Sequence, residues 1–443
     1  MRRRAAARSG AVKRWWLALG APLLALLLGG GALWLINFND GVDIADTRAP
    51  AGDTADRIER GAYLARTGNC LACHTARGGA PGAGGLALAT PYGTLYTSNL
   101  TPDDEAGIGR WSAAAFWRAL HHGRSADGRL LYPAFPYTHT TLLTRADADA
   151  LFSYFRSLPA SPLPVPEHEL RWPYSTQLAL AVWRALYFRP GGFAPDPAQD
   201  AAWNRGAYLV RGVAHCSACH ASRDRWGGAD WRDLSGGLMA AQGWYAPSLL
   251  DAREAGLAQW PTAEIVRLLK TGHADRGTVS GPMAEVVLHG SQHFSDADLS
   301  AMAMYLKALP QALATVDSLT SAPRAPGRLA MAGEQLYQDR CASCHGEQGE
   351  GQPGAYPPLA SNRAVTLART ENLLQTLLYG GFGPATAGHP RPYGMPPFTQ
   401  LLSDAEIAAV LSHIRASWGN QAPEVSPLDV HTMRAALAQT LPR

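Results

Sequence analysis

Cys70-Leu71-Ala72-Cys73-His74, Cys216-Ser217-Ala218-Cys219-His220 and Cys341-Ala342-Ser343-Cys344-His345 repeat one arrangement three times. Two thiols stand three positions apart, and an imidazole follows the second. That spacing lets both thiols meet the two vinyl groups of one porphyrin, while the adjoining imidazole reaches the iron from the proximal side. The rival chemistry is a zinc or dithiol redox site. Zinc needs four ligands, and all six cysteines of the chain are used, two per motif. Three covalently bound haem c groups (Fe) are therefore expected on Cys70, Cys73, Cys216, Cys219, Cys341 and Cys344, with His74, His220 and His345 as iron ligands. No cysteine is left for a structural disulfide.

Each iron needs a sixth ligand, and methionine suits a haem through which electrons merely pass. In Tyr393-Gly394-Met395-Pro396-Pro397-Phe398 a thioether stands on a proline-stiffened loop, which makes Met395 the third haem's candidate. Gly281-Pro282-Met283 offers Met283 to the second haem. Met239 is the runner-up, Met302 and Met304 read as core, and His273, His289 and His293 are nearby alternatives. Between residues 2 and 238 there is no methionine. The equivalent loop, Leu131 to His139, carries Phe135 about where Met395 stands, and Phe cannot ligate iron. His139 is the nearest ligating side chain, so a bis-histidine first haem is expected; His121, His122 or an open sixth position are the other readings.

The bulk properties agree with a folded redox protein. Hydrophobic residues make up 47% and charged residues 17%; a net charge of +3 and a pI near 8.5 imply no polyanionic partner, so no nucleic acid is expected. A length of 443 residues accommodates about three domains, which matches the motif count.

The elements that must position the motifs are legible in order. A basic segment, 1–14, precedes 25 uncharged residues, 15–39. At ~1.5 Å per residue these reach ~38 Å, against ~30 Å of hydrocarbon. Basic residues before and Asp40, Asp43 and Asp46 after set the N-terminus in the cytoplasm and export the rest. Cleavage near Gly29-Gly30-Gly31-Ala32 is the alternative, opposed by the continuing run Leu33 to Ile36. Three copies of one plan follow: 50–160, 200–317 and 328–420. Each opens with a short helix, at Arg60-Gly61-Ala62-Tyr63-Leu64, Arg205-Gly206-Ala207-Tyr208-Leu209 and Ala332-Gly333-Glu334-Gln335-Leu336. Each closes with a helix capped at Thr144, Ser295 or Ser403, where Asp147, Asp298 or Glu406 completes a capping-box pattern. A Gly-to-Trp step, Gly107 to Trp111 and Gly256 to Trp260, further links the first two copies.

The joints are a proline-rich linker, 161–199, and a shorter one, 318–327. Within the first, 175–188 reads as a helix with Arg184 its only charge, serving either to pack between domains or to dock on a partner or the membrane surface. The tail, 421–443, shows no informative pattern. A further repeat, Tyr356-Pro357-Pro358-Leu359, recurs loosely as Tyr245-Ala246-Pro247-Ser248 and Tyr96-Thr97-Ser98-Asn99. A backbone carbonyl in each could accept the proximal imidazole N–H and fix the ring; a plain turn is the bland reading.

The anchor, the three Cys-x-x-Cys-His copies and the loop words Leu131 to Tyr137 and Gly394 to Phe398 resemble the tri-haem cytochrome c subunits of periplasmic membrane-bound dehydrogenases. Residues Cys341 to Gly346 and Pro357 to Asn362 resemble a class I cytochrome c. The resemblance implies an all-α fold, three tandem class I cytochrome c-like domains after one transmembrane helix, held in the inner membrane with the haem domains periplasmic. It implies an electron-transfer subunit without catalysis of its own. Its partners would be a quinoprotein, flavoprotein or molybdenum hydroxylase catalytic subunit, and ubiquinone or another downstream acceptor. The Pro-Ala-Phe-Pro-Tyr wording of the first loop resembles the branch that accompanies molybdenum hydroxylases. A peroxidase-like cytochrome with an open first haem and a terminal-oxidase subunit are the alternative functions.

Overall fold

The structure is a computed structural model and describes residues 24–43, 54–275, 277–311 and 327–438. The basic segment 1–14, residues 15–23 of the expected anchor and all of linker 318–327 except Gly327 lie outside these. Residues 24–38 are helical, with Leu24, Leu26, Leu27, Leu28, Trp34, Leu35 and Ile36 exposed. Among the described residues no helix is long and apolar enough to cross a membrane.

Each of the three motif-bearing units is built on a crossed helix pair. The opening helices are Ala55–Thr67, Ala201–Tyr208 and Arg328–Arg340; the closing helices are Arg145–Arg156, Asp296–Ala308 and Asp404–Ala416. The repeated glycine is the crossing point. A Cβ on Gly61 would lie 1.9 Å from Ala150 O, on Gly206 2.0 Å from Ala301 O, and on Gly333 2.1 Å from Ala409 O. Only hydrogen fits between the two backbones. From this glycine to the first motif cysteine the second unit has one residue more than the first. A π-turn, Leu209–Val213, takes up such an insertion without unwinding the helix.

The units do not have one core each. Leu64, Phe116, Leu151 and Phe155 of the first unit join Leu209, Ile265, Leu299 and Met302 of the second in one continuous cluster. The third unit keeps its own, around Tyr337, Leu374, Leu378, Ile407 and Val410.

Helix dominates, but the all-α expectation omits nine short strands in four small sheets among the described residues. In the first unit β1 (Ala87–Thr90) and β2 (Gly93–Tyr96) form a hairpin, and β3 (Glu169–Leu170) from the linker adds to the outer edge of β2. In the second unit β4 (Gly237–Met239) pairs with β5 (Trp244–Ala246). Strands of two to four residues leave no alternation for a sequence reading to detect.

The linker helix spans Gln177–Tyr187 and packs on the first unit. Leu180 and Ala181 are buried beside Leu130, Tyr132 and Phe38. The buried Arg184 donates to His122 O, Gly123 O and Asn37 Oδ1. Tyr187 and Trp183 reach the second unit at Asp224 and at the Trp226 carbonyl. The tail holds a helix, Pro427–Ala438, clamped by Arg434, which donates to Asp404, Thr399 and Leu402.

Candidate haem sites

Each Cys-x-x-Cys-His motif is wound into a single helical turn: Cys70–Cys73, Ser217–His220 and Ala342–His345. None of the six cysteines is in a disulfide. Burial pushes the thiols of Cys70 and Cys216 up to about 12 and that of Cys341 to about 11, with the second cysteine of each motif adding to the effect.

The proximal histidines are held as the Tyr-containing repeats anticipate. His74 Nδ1–H donates to Ser98 O (2.7 Å), His220 Nδ1–H to Pro247 O (2.8 Å) and His345 Nδ1–H to Pro357 O (3.1 Å). With Nδ1 engaged as donor, each Nε2 keeps its lone pair for iron, and the carbonyl raises the basicity of the ring. Unpaired thiols one turn apart beside a tautomer-locked imidazole fit a covalently attached haem. The first two motifs stand close together, since His215 Nε2, next to Cys216, lies 3.3 Å from Gly68 O, two residues before Cys70.

Of the candidate sixth ligands, Met283 is half-buried at the start of helix Pro282–His289, and Met395 is half-buried on β9 (Gly394–Met395), which pairs with β8 (Gly381–Phe382). Met302 is in the core and Met304 lies exposed on its helix. Met239 is on β4, and His289 lies against Glu285. His273 instead meets His389 of the third unit, ring centroids 4.1 Å apart. His121 stacks on Trp117 and His122 sits edge-on to His121. Burial lowers both, His122 to about 4. His139 is buried where the first unit meets the second. Its Nε2 lies 2.9 Å from Ser217 Oγ, inside the second motif, and its Nδ1 lies 3.0 Å from Thr138 Oγ1.

The cytochrome c family model matches residues 58–159 and 330–418. The cytochrome c subunit of a quinone-dependent alcohol dehydrogenase from Gluconacetobacter polyoxogenes is 39% identical over 412 residues, covering 89% of this chain and 87% of that one. The gluconate 2-dehydrogenase cytochrome c subunit of Pantoea cypripedii is 36% identical over 85% and 89% of the two chains. This chain belongs to the cytochrome c family. A nicotinate dehydrogenase component of Pseudomonas putida is 38% identical over 93% of the cytochrome, which spans 34% of that longer protein. Membership implies covalently bound haem c.

The cytochrome's first two units are clasped reciprocally. Tyr63 OH of the first donates to Asp298 Oδ2 of the second (2.5 Å), and Tyr208 OH of the second donates to Asp147 Oδ2 of the first (2.5 Å). Arg60 holds Asp147 and Arg205 holds Asp298 within their own units. This alters the capping-box expectation. The Thr144 and Ser295 side chains cap as anticipated, but Asp147 and Asp298 turn away, and the N–H groups of Thr144 and Ser295 donate to the hydroxyls of Tyr208 and Tyr63. Only Ser403 and Glu406 complete the box.

A pH dependence follows. Burial raises the Asp298 carboxyl, but hydrogen bonds from Arg205 and Tyr63 and the charges of Arg205 and Arg60 outweigh it, leaving the group below its usual value. A carboxylate depressed on folding stabilises above its unfolded pKa of about 3.9, and that stabilisation is lost as pH falls through the folded pKa. Asp298→Asn is expected to cost about 1–3 kcal/mol at pH 7 and to flatten the acid limb below about pH 4. Denaturant titrations of wild type and variant across that range check this; superimposable acid limbs would refute it.

Proposed function

We propose that the chain carries three covalent haems, takes electrons from a dehydrogenase catalytic subunit and passes them to ubiquinone or another acceptor. The observation that carries this is the threefold recurrence of a Cys-x-x-Cys-His turn whose imidazole is locked by a backbone carbonyl. Bound haem supplies one-electron iron chemistry; the chain's residues hold the ring and fix the proximal tautomer. The contact between His215 and Gly68, each beside a motif, supports exchange between the first two haems. The third unit docks next to the second proximal site, where Tyr245 N–H donates to Asn372 Oδ1 (2.8 Å) and Asn372 Nδ2 donates to Tyr245 O (2.7 Å). Tyr245 is two residues from Pro247, the acceptor of His220, so this contact supports a serial relay.

The relatives' names, cytochrome c subunits of alcohol and gluconate dehydrogenases, support a separate catalytic subunit as electron source. An inner-membrane anchor over 15–39 with periplasmic haems is part of the proposal; it rests on the uncharged run and its flanking charges. The test is to purify the chain from membranes with whatever catalytic subunit accompanies it, sequence its N-terminus, and add that enzyme's substrate. Substrate-dependent haem reduction and an intact N-terminus are expected. A mature start near Leu33 would exclude the anchor, and peroxide-dependent turnover by the chain alone would exclude the pure carrier reading.

A further inference from the structure

We infer that the first haem has no sixth ligand from the protein: Phe135 occupies the distal position, His139 is committed elsewhere, and the iron is open to a small neutral ligand. This rests on the three-haem reading above.

The register of the first two units places Phe135. Helices Ala113–His122 and Thr262–Thr271 both end at a left-handed glycine, Gly123 (φ 58°) and Gly272 (φ 81°). The Gly123 carbonyl accepts from Leu131 N–H (2.8 Å), and the Gly272 carbonyl from Val279 N–H (3.0 Å). Phe135 comes four residues after Leu131, and Met283 four residues after Val279. The two stand at the same place in their loops, both half-buried. A phenyl ring has no lone pair to give.

His139 cannot replace it without dismantling a relay. Ser217 Oγ–H donates to Trp231 O (2.6 Å), which uses the hydroxyl's one proton. Ser217 Oγ must therefore accept from His139 Nε2–H at 2.9 Å, and Nδ1 is left to accept from Thr138 Oγ1. Both nitrogens are occupied, and Nε2 points into the second haem's attachment turn. Burial, with the charges of His215 and Arg223, lowers this imidazole to about 3, so it stays neutral and the relay persists at physiological pH. His139 thus positions the second motif. His121 and His122 end the helix before Gly123, where the second unit has Lys270 and Thr271, and so stand outside the distal loop.

An apolar distal residue that offers no hydrogen bond favours a neutral diatomic over an anion. The experiment is carbon monoxide titration of the dithionite-reduced holoprotein, with EPR of the oxidised form and a pyridine haemochrome count on the same sample. Expected are one equivalent of carbon monoxide per three haems and a high-spin ferric component. Phe135→Met should abolish both, and His139→Ala should leave one equivalent bound. A wild type with three haems, all low-spin and inert to carbon monoxide, overturns the inference. So does Phe135→Met still binding one equivalent. A variant His139→Ala that gains carbon monoxide binding absent from wild type would make His139 the ligand after all. If Phe135→Met does not accumulate, the wild type and His139→Ala still decide. A haem count near two would instead defeat the three-haem reading, independently of ligation.

Discussion

Alanine at Gly206 is expected to lower the stability of the joined first two units by about 2 kcal/mol or more. Helix propensity alone favours the change by about 1 kcal/mol. Against it stands a Cβ that would lie 2.0 Å from Ala301 O and 2.6 Å from Ala301 C, with Tyr305 Cβ at 2.8 Å. Two of these atoms are backbone inside a helix and cannot rotate away, so the closing helix must shift bodily. Overpacking costs about 1–3 kcal/mol, occasionally more, and a contact this short belongs at the upper end. The shift also disturbs Leu299 and Met302 in the shared core. Gly192, with nothing within 4 Å of an added Cβ, is the control and should tolerate alanine. Urea midpoints of the two variants decide; equal midpoints would mean that the helices do not cross at Gly206.

Removal of Cys344 and removal of Cys219 are expected to have unequal consequences. The third unit has its own core, so Cys344→Ala should remove one haem of three and leave the other two in place. The first two units share one cluster and clasp each other through Tyr63–Asp298 and Tyr208–Asp147. A failed attachment at Cys219 should therefore carry the first haem's yield down with it, to well below two haems per chain. Pyridine haemochrome ratios measure this directly. Equal losses would show that the units mature independently, whatever their packing.

The Cys-x-x-Cys-His words stand out in the sequence because thioether chemistry fixes both residue type and spacing. The proximal carbonyls were legible because Tyr96, Tyr245 and Tyr356 stand in similar words. The tyrosine clasp was not. Asp147 and Asp298 carry a capping-box signature, and sequence holds no sign that a tyrosine 61 residues away in one case and 235 in the other would take the acid's place at the cap. The crossing glycines were visible as a repeat, but their purpose is a distance between two chain segments. The contact of His139 was hidden for a related reason: nearness in sequence to the loop of Phe135 says nothing about Ser217, 78 residues on. The tail helix stayed hidden because its apolar hold is sparse, Val430 buried in the third unit's core with Met433 packed against it, beside Arg434 on carbonyls and on Asp404.

The outer edges of β2 and β5 differ in their occupants. On β5 the Tyr245 N–H is met by Asn372 of the third unit; on β2 the equivalent Tyr96 N–H is met by His168 Nδ1, next to β3. The edge of β2 that corresponds to the docking edge of β5 is thus filled from within, by residues 168–170 of the linker. A linker that looks like a mere spacer thereby leaves β2 no open edge for strand pairing with another chain.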